Sequence, residues 1–143
     1  MLKRFIFLVL FFILALTPSA GSTGPSFVIY GEAAWYSSQS CRREGTSGVL
    51  TASGERFREK GLTCALRRRD FGKLNRVTNL ENGRSVVVRH NDFGPARRWR
   101  DPRSGVTHDL TRRVIDLSRG AFQKIASPRQ GVIRRVKVER IRS

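Results

Sequence analysis

Three carboxylates in this chain stand where a strand is expected to give way to a turn. Glu55 lies in TASGERF (residues 51–57), Asp92 in NDFGP (residues 91–95) and Asp116 in RRVIDLSRGAF (residues 112–122). A carboxyl group that keeps its proton near neutral pH can deliver it to a leaving oxygen and afterwards take one back, so a single group can act as acid and then as base. Each of the three also has a structural role open to it. Asp116 or Ser118 can cap the helix that follows, because a short oxygen side chain bonds the free N–H groups at a helix start. Asp92 can close an Asx-turn ahead of Gly94 and Pro95, and Glu55 can sit solvated in its loop.

Other side chains near these positions can hold a polar ligand. Arg89 and Asn91 flank the Asp92 turn and can donate hydrogen bonds to hydroxyl groups. Trp35 and Tyr36 either stack on a flat ligand face or pack in the core, whereas Trp99, inside ARRWR, is the candidate for an exposed platform. His90 shares a strand face with Val86 and Val88 and is expected to be packed, and His108 is expected to be solvated in a basic loop. Neither histidine has a partner at metal-ligand spacing, so no metal is expected. No Gly-x-Ser-x-Gly elbow supports a serine nucleophile.

The elements that must position these groups are mostly strands. FVIYGEAAWY from Phe27 is rich in aromatic and β-branched residues, with Gly31 marking a bulge or a close backbone approach. Residues 37–48 read as a loop and residues 62–66 as a short strand. Residues 75–79 and 85–90 form a hairpin around Asn82-Gly83, with residues 91–95 ending its second strand. Residues 96–111 are a basic loop, 114–117 a strand and 118–126 a helix stopped by Pro128 and Gly131. Residues 132–141 alternate apolar and charged, with Val132, Arg134, Val136 and Val138 on one face. Many short strands with one or two short helices give a mainly-β fold, a barrel.

The chain has 143 residues, enough for one domain with a modest core. Residues 1–22 read as a signal peptide: Lys3 and Arg4 precede a twelve-residue uncharged run from Phe5 to Leu16, and small residues follow at Ser19, Ala20 and Gly21. Spanning a bilayer takes about 20 residues, so no stable membrane span is expected after cleavage. Residues 23–29 form a linker and residues 30–143 the folded domain, expected to be an exported monomer, periplasmic or extracellular. With only two cysteines in an exported chain, Cys41 and Cys64 are expected to form a disulfide. It would close a loop of 22 intervening residues and contribute about 3 kcal/mol in the chain-entropy description. Lys and Arg number 28 against 11 Asp and Glu, and arginine outnumbers lysine 23 to 5. Such a field concentrates polyanions. The basic residues are scattered over many segments and an exported chain meets anionic envelope polymers, so nucleic acid is not expected as a partner.

The segments GEAAWYS, TASGERF, VTNLENGRSVVVRHNDFGP and RVIDLSRGAF together resemble the double-psi β-barrel domain of rare lipoprotein A, over about residues 30–141. The resemblance implies a six-stranded double-psi β-barrel, akin to those of expansins and family-45 endoglucanases. It implies a lytic transglycosylase that cuts peptidoglycan glycan strands and leaves a 1,6-anhydro sugar, with no cofactor. The position of Asp116 before Leu-Ser resembles that of the catalytic aspartate of expansin-like and endoglucanase barrels, and Glu55 matches a glutamate the family retains. The chain departs from the family's GExFD and TAAH or TCAH segments, carrying Arg58 for the aspartate and Leu66 for the histidine. Arg58 can hold a substrate carboxylate or pair with Glu55 and depress its pKa, which weakens Glu55 as an acid. The two replacements leave room for an alternative, a non-catalytic barrel that binds peptidoglycan glycan. A third expectation is an exported basic protein that binds an anionic partner.

Overall fold

The computed structural model describes residues 27–43, 48–101 and 103–142. The signal peptide expected over residues 1–22 lies outside the described residues, as does the linker up to residue 26. Eight strands and two short helices follow in order: β1 (Val28–Tyr36), α1 (Ser38–Arg43), β2 (Thr63–Leu66), β3 (Leu74–Asn79), β4 (Ser85–Phe93), β5 (Arg98–Arg100), β6 (Thr107–Asp109), β7 (Arg113–Ser118), α2 (Arg119–Ile125) and β8 (Val132–Arg140). Six of the strands close into a barrel in the order β1-β7-β2-β4-β3-β8, while β5 and β6 pair separately. The β1–β7 and β2–β4 pairs are parallel and the other barrel pairs antiparallel. The expected six-stranded double-psi β-barrel with short helices is the architecture observed.

Alternation builds the core. On β4, Val86, Val88 and His90 point inward while Ser85, Val87 and Arg89 point outward. Val77 of β3, Ile115 and Leu117 of β7, and Ile133, Val136 and Val138 of β8 meet them. Helix α2 adds Ala121, Phe122 and Ile125, all fully buried. Ser118 caps this helix, its Oγ accepting from the Ala121 N–H at 3.3 Å. Of the two caps the sequence offers, Ser118 takes the role and Asp116 is left out of it.

Several elements differ from the sequence expectation for local reasons. Residues 38–43 are helical because Ser37 and Ser40 cap each other reciprocally, at 2.9 and 3.1 Å. Strand β4 runs on through Asn91 and Asp92 to Phe93, because β2 supplies a parallel partner to its end. The basic loop contains the β5–β6 hairpin. On β8, Ile133 rather than Val132 points inward, since the ladder with β1 slips between Gly31 and Ala33. Residues 95–113 return to the barrel under one side chain. Arg67 donates to the carbonyls of Pro95 (2.8 Å), Leu110 (3.3 Å) and Arg113 (2.7 Å).

Gly31 combines the two roles its position suggests, a bulge and a close approach. A Cβ there would meet Val114 Cγ1 at 2.5 Å and the Arg112 carbonyl at 2.6 Å, so the β1–β7 contact demands its absence. Gly31→Ala is expected to lower stability by about 1–3 kcal/mol, the range for overpacking, as read from the urea midpoint; an unchanged midpoint would show that the strands accommodate the methyl group.

Candidate active site

The site is organised around Ala65. In the β2–β7 ladder Ala65 pairs with Asp116, and in the β2–β4 ladder it pairs with Asp92. The two carboxylates therefore stand on the strands either side of one small residue. Two strand spacings put their Cα atoms about 9–10 Å apart. A bulge sets Asp92 on this face: Cys64 pairs with His90 and Ala65 with Asp92, so Asn91 is the extra residue on β4. Without it, Asp92 would share the buried face of His90.

Asp92, Asp116, Ala65 and Tyr36 line a cleft of about 320 Å³, closed further by Phe57, Leu50, Cys41 and residues 93–96. Asp92 is anchored, its Oδ1 accepting from the N–H groups of Ala52 at 2.9 Å and Phe93 at 2.8 Å. Asp116 is about a fifth exposed, with Arg113 Nε 4.0 Å from its Oδ1. The Tyr36 ring stacks on Phe57, with centroids 4.7 Å apart and planes 24° apart. It is thus packed rather than offered to a sugar face, and its hydroxyl is buried with no hydrogen-bond partner among the described residues. Burial first, then the charge of Asp92 and to a lesser degree that of Asp116, push the phenol far above its ordinary pKa, so it stays protonated.

Glu55 belongs to a second cluster. Both its oxygens accept from Arg89, at 2.5 Å each, and Asn91 Nδ2 lies 3.4 Å from Oε2. The Arg89 hydrogen bond, aided by Asn91, holds the Glu55 carboxyl down at about 2 against the cost of its desolvation. A group so held carries no proton at neutral pH, so Glu55 cannot serve as the proton donor in this arrangement. Arg89, rather than Arg58, is its partner, and Arg89 and the buried Asn91 both bond to Glu55. The pair docks the 51–55 loop onto β4, together with the Ser53 N–H bonded to the Asn91 carbonyl at 3.1 Å.

The remaining expectations separate from the cleft. Arg58 is exposed, in a turn where its carbonyl accepts from Gly61. Leu66 points into the hydrophobic core. Trp99 is paired with His108 in the β5–β6 hairpin, and its side chain lies outside the described part of the structure. Cys41 and Cys64 are not bridged to each other. Cys64 shares the core face with Leu117, its register partner, whereas Cys41 lines the cleft on the face of Ala65. No group of His, Cys, Asp or Glu suited to a metal occurs among the described residues.

Residues 28–138 match the family model described as lytic transglycolase. The chain belongs to this family. Among curated members, the probable endolytic peptidoglycan transglycosylase RlpA of Nostoc is 45% identical over 91 residues, covering 64% of this chain and 21% of the relative. The endolytic peptidoglycan transglycosylase RlpA of Pseudomonas aeruginosa is 36% identical over 116 residues, 81% of this chain and 28% of the relative. The transglycolase-family chain thus spans well under half the length of the curated relatives it matches, 42% in the case of the Rickettsia felis protein. Two solved structures share the fold. The Streptomyces papain inhibitor has a TM-score of 0.57 at 20% identity, covering 82% of this chain and 97% of its own. An expansin of Clavibacter michiganensis has a TM-score of 0.51 at 17% identity, covering 81% of this chain and 51% of its own.

Two outcomes test this geometry. Because burial on the core face pushes the Cys64 thiol up, well above the usual range, it should resist thiol reagents until the chain unfolds, and the thermal melt should be the same with and without reductant. A melt that drops on reduction would reveal a bridge. The folded-state pKa of Glu55 lies below its ordinary 4.5, so the stability it contributes is present above that pH and lost as pH falls towards about 2. With Arg89 and Glu55 40% and 42% exposed, water screens the pair to about 1 kcal/mol. Glu55→Gln should cost that much in urea unfolding at neutral pH and nothing at the acid end; a difference that survives in acid would assign the effect to something other than the ion pair.

Proposed function

We propose that this chain is an exported lytic transglycosylase that cleaves peptidoglycan glycan strands to 1,6-anhydro products, with Asp116 as its acid and base. The observation that carries this reading is the shared register of Asp92 and Asp116 on Ala65, which aims both carboxylates into one cleft. The names of the relatives supply the substrate class. Asp116 delivers its proton to the bridging oxygen as the glycosidic bond breaks. The sugar's own C6 hydroxyl then adds to the anomeric carbon and returns its proton to the same carboxylate, so no water is consumed. Asp92, anchored by two backbone N–H groups, stays on the opposite side of the floor residue, where its negative charge faces the developing positive charge on the sugar ring. The chemistry needs no cofactor. The uncharged run before residue 17 supports export into the compartment that holds peptidoglycan, and no described helix is long and apolar enough to cross a membrane.

A second reading, a barrel that binds glycan without cutting it, is favoured by one set of observations. Glu55 is held by Arg89, Arg58 faces solvent and Leu66 faces the core, so the segments that depart from the family pattern place no proton donor in the cleft. Mass spectrometry of purified peptidoglycan incubated with the mature protein separates the two. Anhydro-muropeptides are expected from the wild type and should fall at least about 100-fold with Asp116→Asn, the usual scale for a lost general acid, while the thermal melt is retained. A folded Asp116→Asn protein that still releases anhydro product would reject the assignment. Retained sacculus binding without product from the wild type would establish the binding module.

A further inference from the structure

His90 is a fully buried titratable group that the proposed reaction does not use, and its surroundings are specific. Its Nε2 is 3.0 Å from the backbone carbonyl oxygen of Asp92. Its Nδ1 lies 3.3 Å from Asp70 Oδ1, a close approach of two buried atoms that is not a hydrogen bond. The other Asp70 oxygen accepts from Arg140 Nη1 at 3.0 Å and Arg68 Nε at 3.1 Å. Arg140 is itself buried and bonded to Asn75 Oδ1 at 2.9 Å. Phe71 tilts against the imidazole at 5.1 Å and Cys64 is its neighbour across the ladder. The charged or titratable groups that face His90 are therefore Asp70, the two guanidiniums behind it, and the Cys64 thiol.

We propose that His90 is a positioning residue for Asp92, linking the partly exposed Asp70 cluster to the peptide that carries the cleft carboxylate. Both atoms facing the ring are acceptors, a carboxylate oxygen and a carbonyl oxygen. An imidazole with one proton can satisfy only one of them, and an imidazolium satisfies both. Burial would raise the Asp70 pKa, but its hydrogen bonds from Arg140 and Arg68 outweigh that and keep it lowered and ionised. A carbonyl oxygen only accepts, so Nε2 carries the proton of the link to Asp92, while the Nδ1 side of the ring faces the Asp70 carboxylate at 3.3 Å. The β3–β4 register ends at Arg89, so on that side no strand partner reaches the Asp92 peptide, and the imidazole is the side chain that holds its carbonyl.

This inference rests on the proposed role of Asp92, and the test keeps the two separable. In nitrogen-edited NMR of the whole chain, His90 Nε2 should carry a proton and show a hydrogen-bond coupling to the Asp92 carbonyl, and that carbonyl resonance should shift in His90→Leu. A ring whose Nε2 carries no proton, or an Asp92 carbonyl resonance unmoved by His90→Leu, overturns the link. In the activity arm, His90→Leu should lower the turnover to anhydro product roughly 10-fold at unchanged KM, as expected when a reacting group is misplaced, and His90→Gln, which restores one donor, should recover most of it. A His90→Leu protein with wild-type melt and wild-type turnover overturns the positioning role. If the wild type yields no anhydro product, the catalytic reading fails while the NMR arm still decides the link.

Discussion

Strand β2 is the constraint on which the rest of this molecule depends. It is four residues long and every one of them is buried, yet it is hydrogen-bonded on one side to a parallel strand and on the other to an antiparallel one. A strand with no solvent face has no register to slip into, because a shift by one residue would exchange a core side chain for a cleft side chain. Cys64 and Leu66 belong to the core and Ala65 to the cleft. Fixing Ala65 fixes the neighbours on both sides, and those neighbours are Asp92 and Asp116. The distance between the two acids is therefore a property of backbone hydrogen bonding, independent of any contact between the acids themselves.

Around this invariant centre, charge acts mostly as scaffolding. The Glu55–Arg89 pair and the backbone bonds to Asn91 and Asp92 seat the 51–55 loop on β4. The Asp70–Arg140–Asn75 group sits at one end of the barrel, where Arg140 joins the Asp70 carboxylate to Asn75. Both arrangements spend arginines that composition alone presents as free cations. What reaches the cleft is a small set of oxygen groups, Asp92, Asp116 and the Tyr36 hydroxyl, next to apolar walls from Phe57 and Leu50, the kind of lining that binds a ligand with a few placed polar contacts.

The features legible in the sequence are those written in local pattern. The β3–β4 hairpin, β7 running into a Ser118-capped helix, and the inward face of Val86, Val88 and His90 all follow from alternation, turn residues and capping chemistry. Features that depend on pairing between distant segments were not legible. The extra residue at Asn91 and the slip opposite Gly31 change which side chains face inward, and nothing within β4 or β8 announces them. Glu55 and Arg89 are 34 residues apart, so a nearer arginine, Arg58, looked the better partner. Ala65 went unremarked because a small apolar residue between Cys64 and Leu66 carries no chemical signal; its importance is that it leaves space. Cysteine count, for a related reason, does not report which face of a strand each thiol occupies.

The three carbonyls gathered by Arg67 have a consequence for how this barrel can vary. Residues 95 and 110–113 are the two feet of the excursion that contains the β5–β6 hairpin, and one guanidinium holds both feet against the end of β2. With the feet fastened, closing a longer or shorter excursion changes the free energy only slowly with length. The hairpin can be recast in size and sequence while the paired strands, and the acids they carry, stay where they are. The molecule thus separates an interchangeable rim, arginine-rich in this chain, from a floor whose geometry is locked by the backbone.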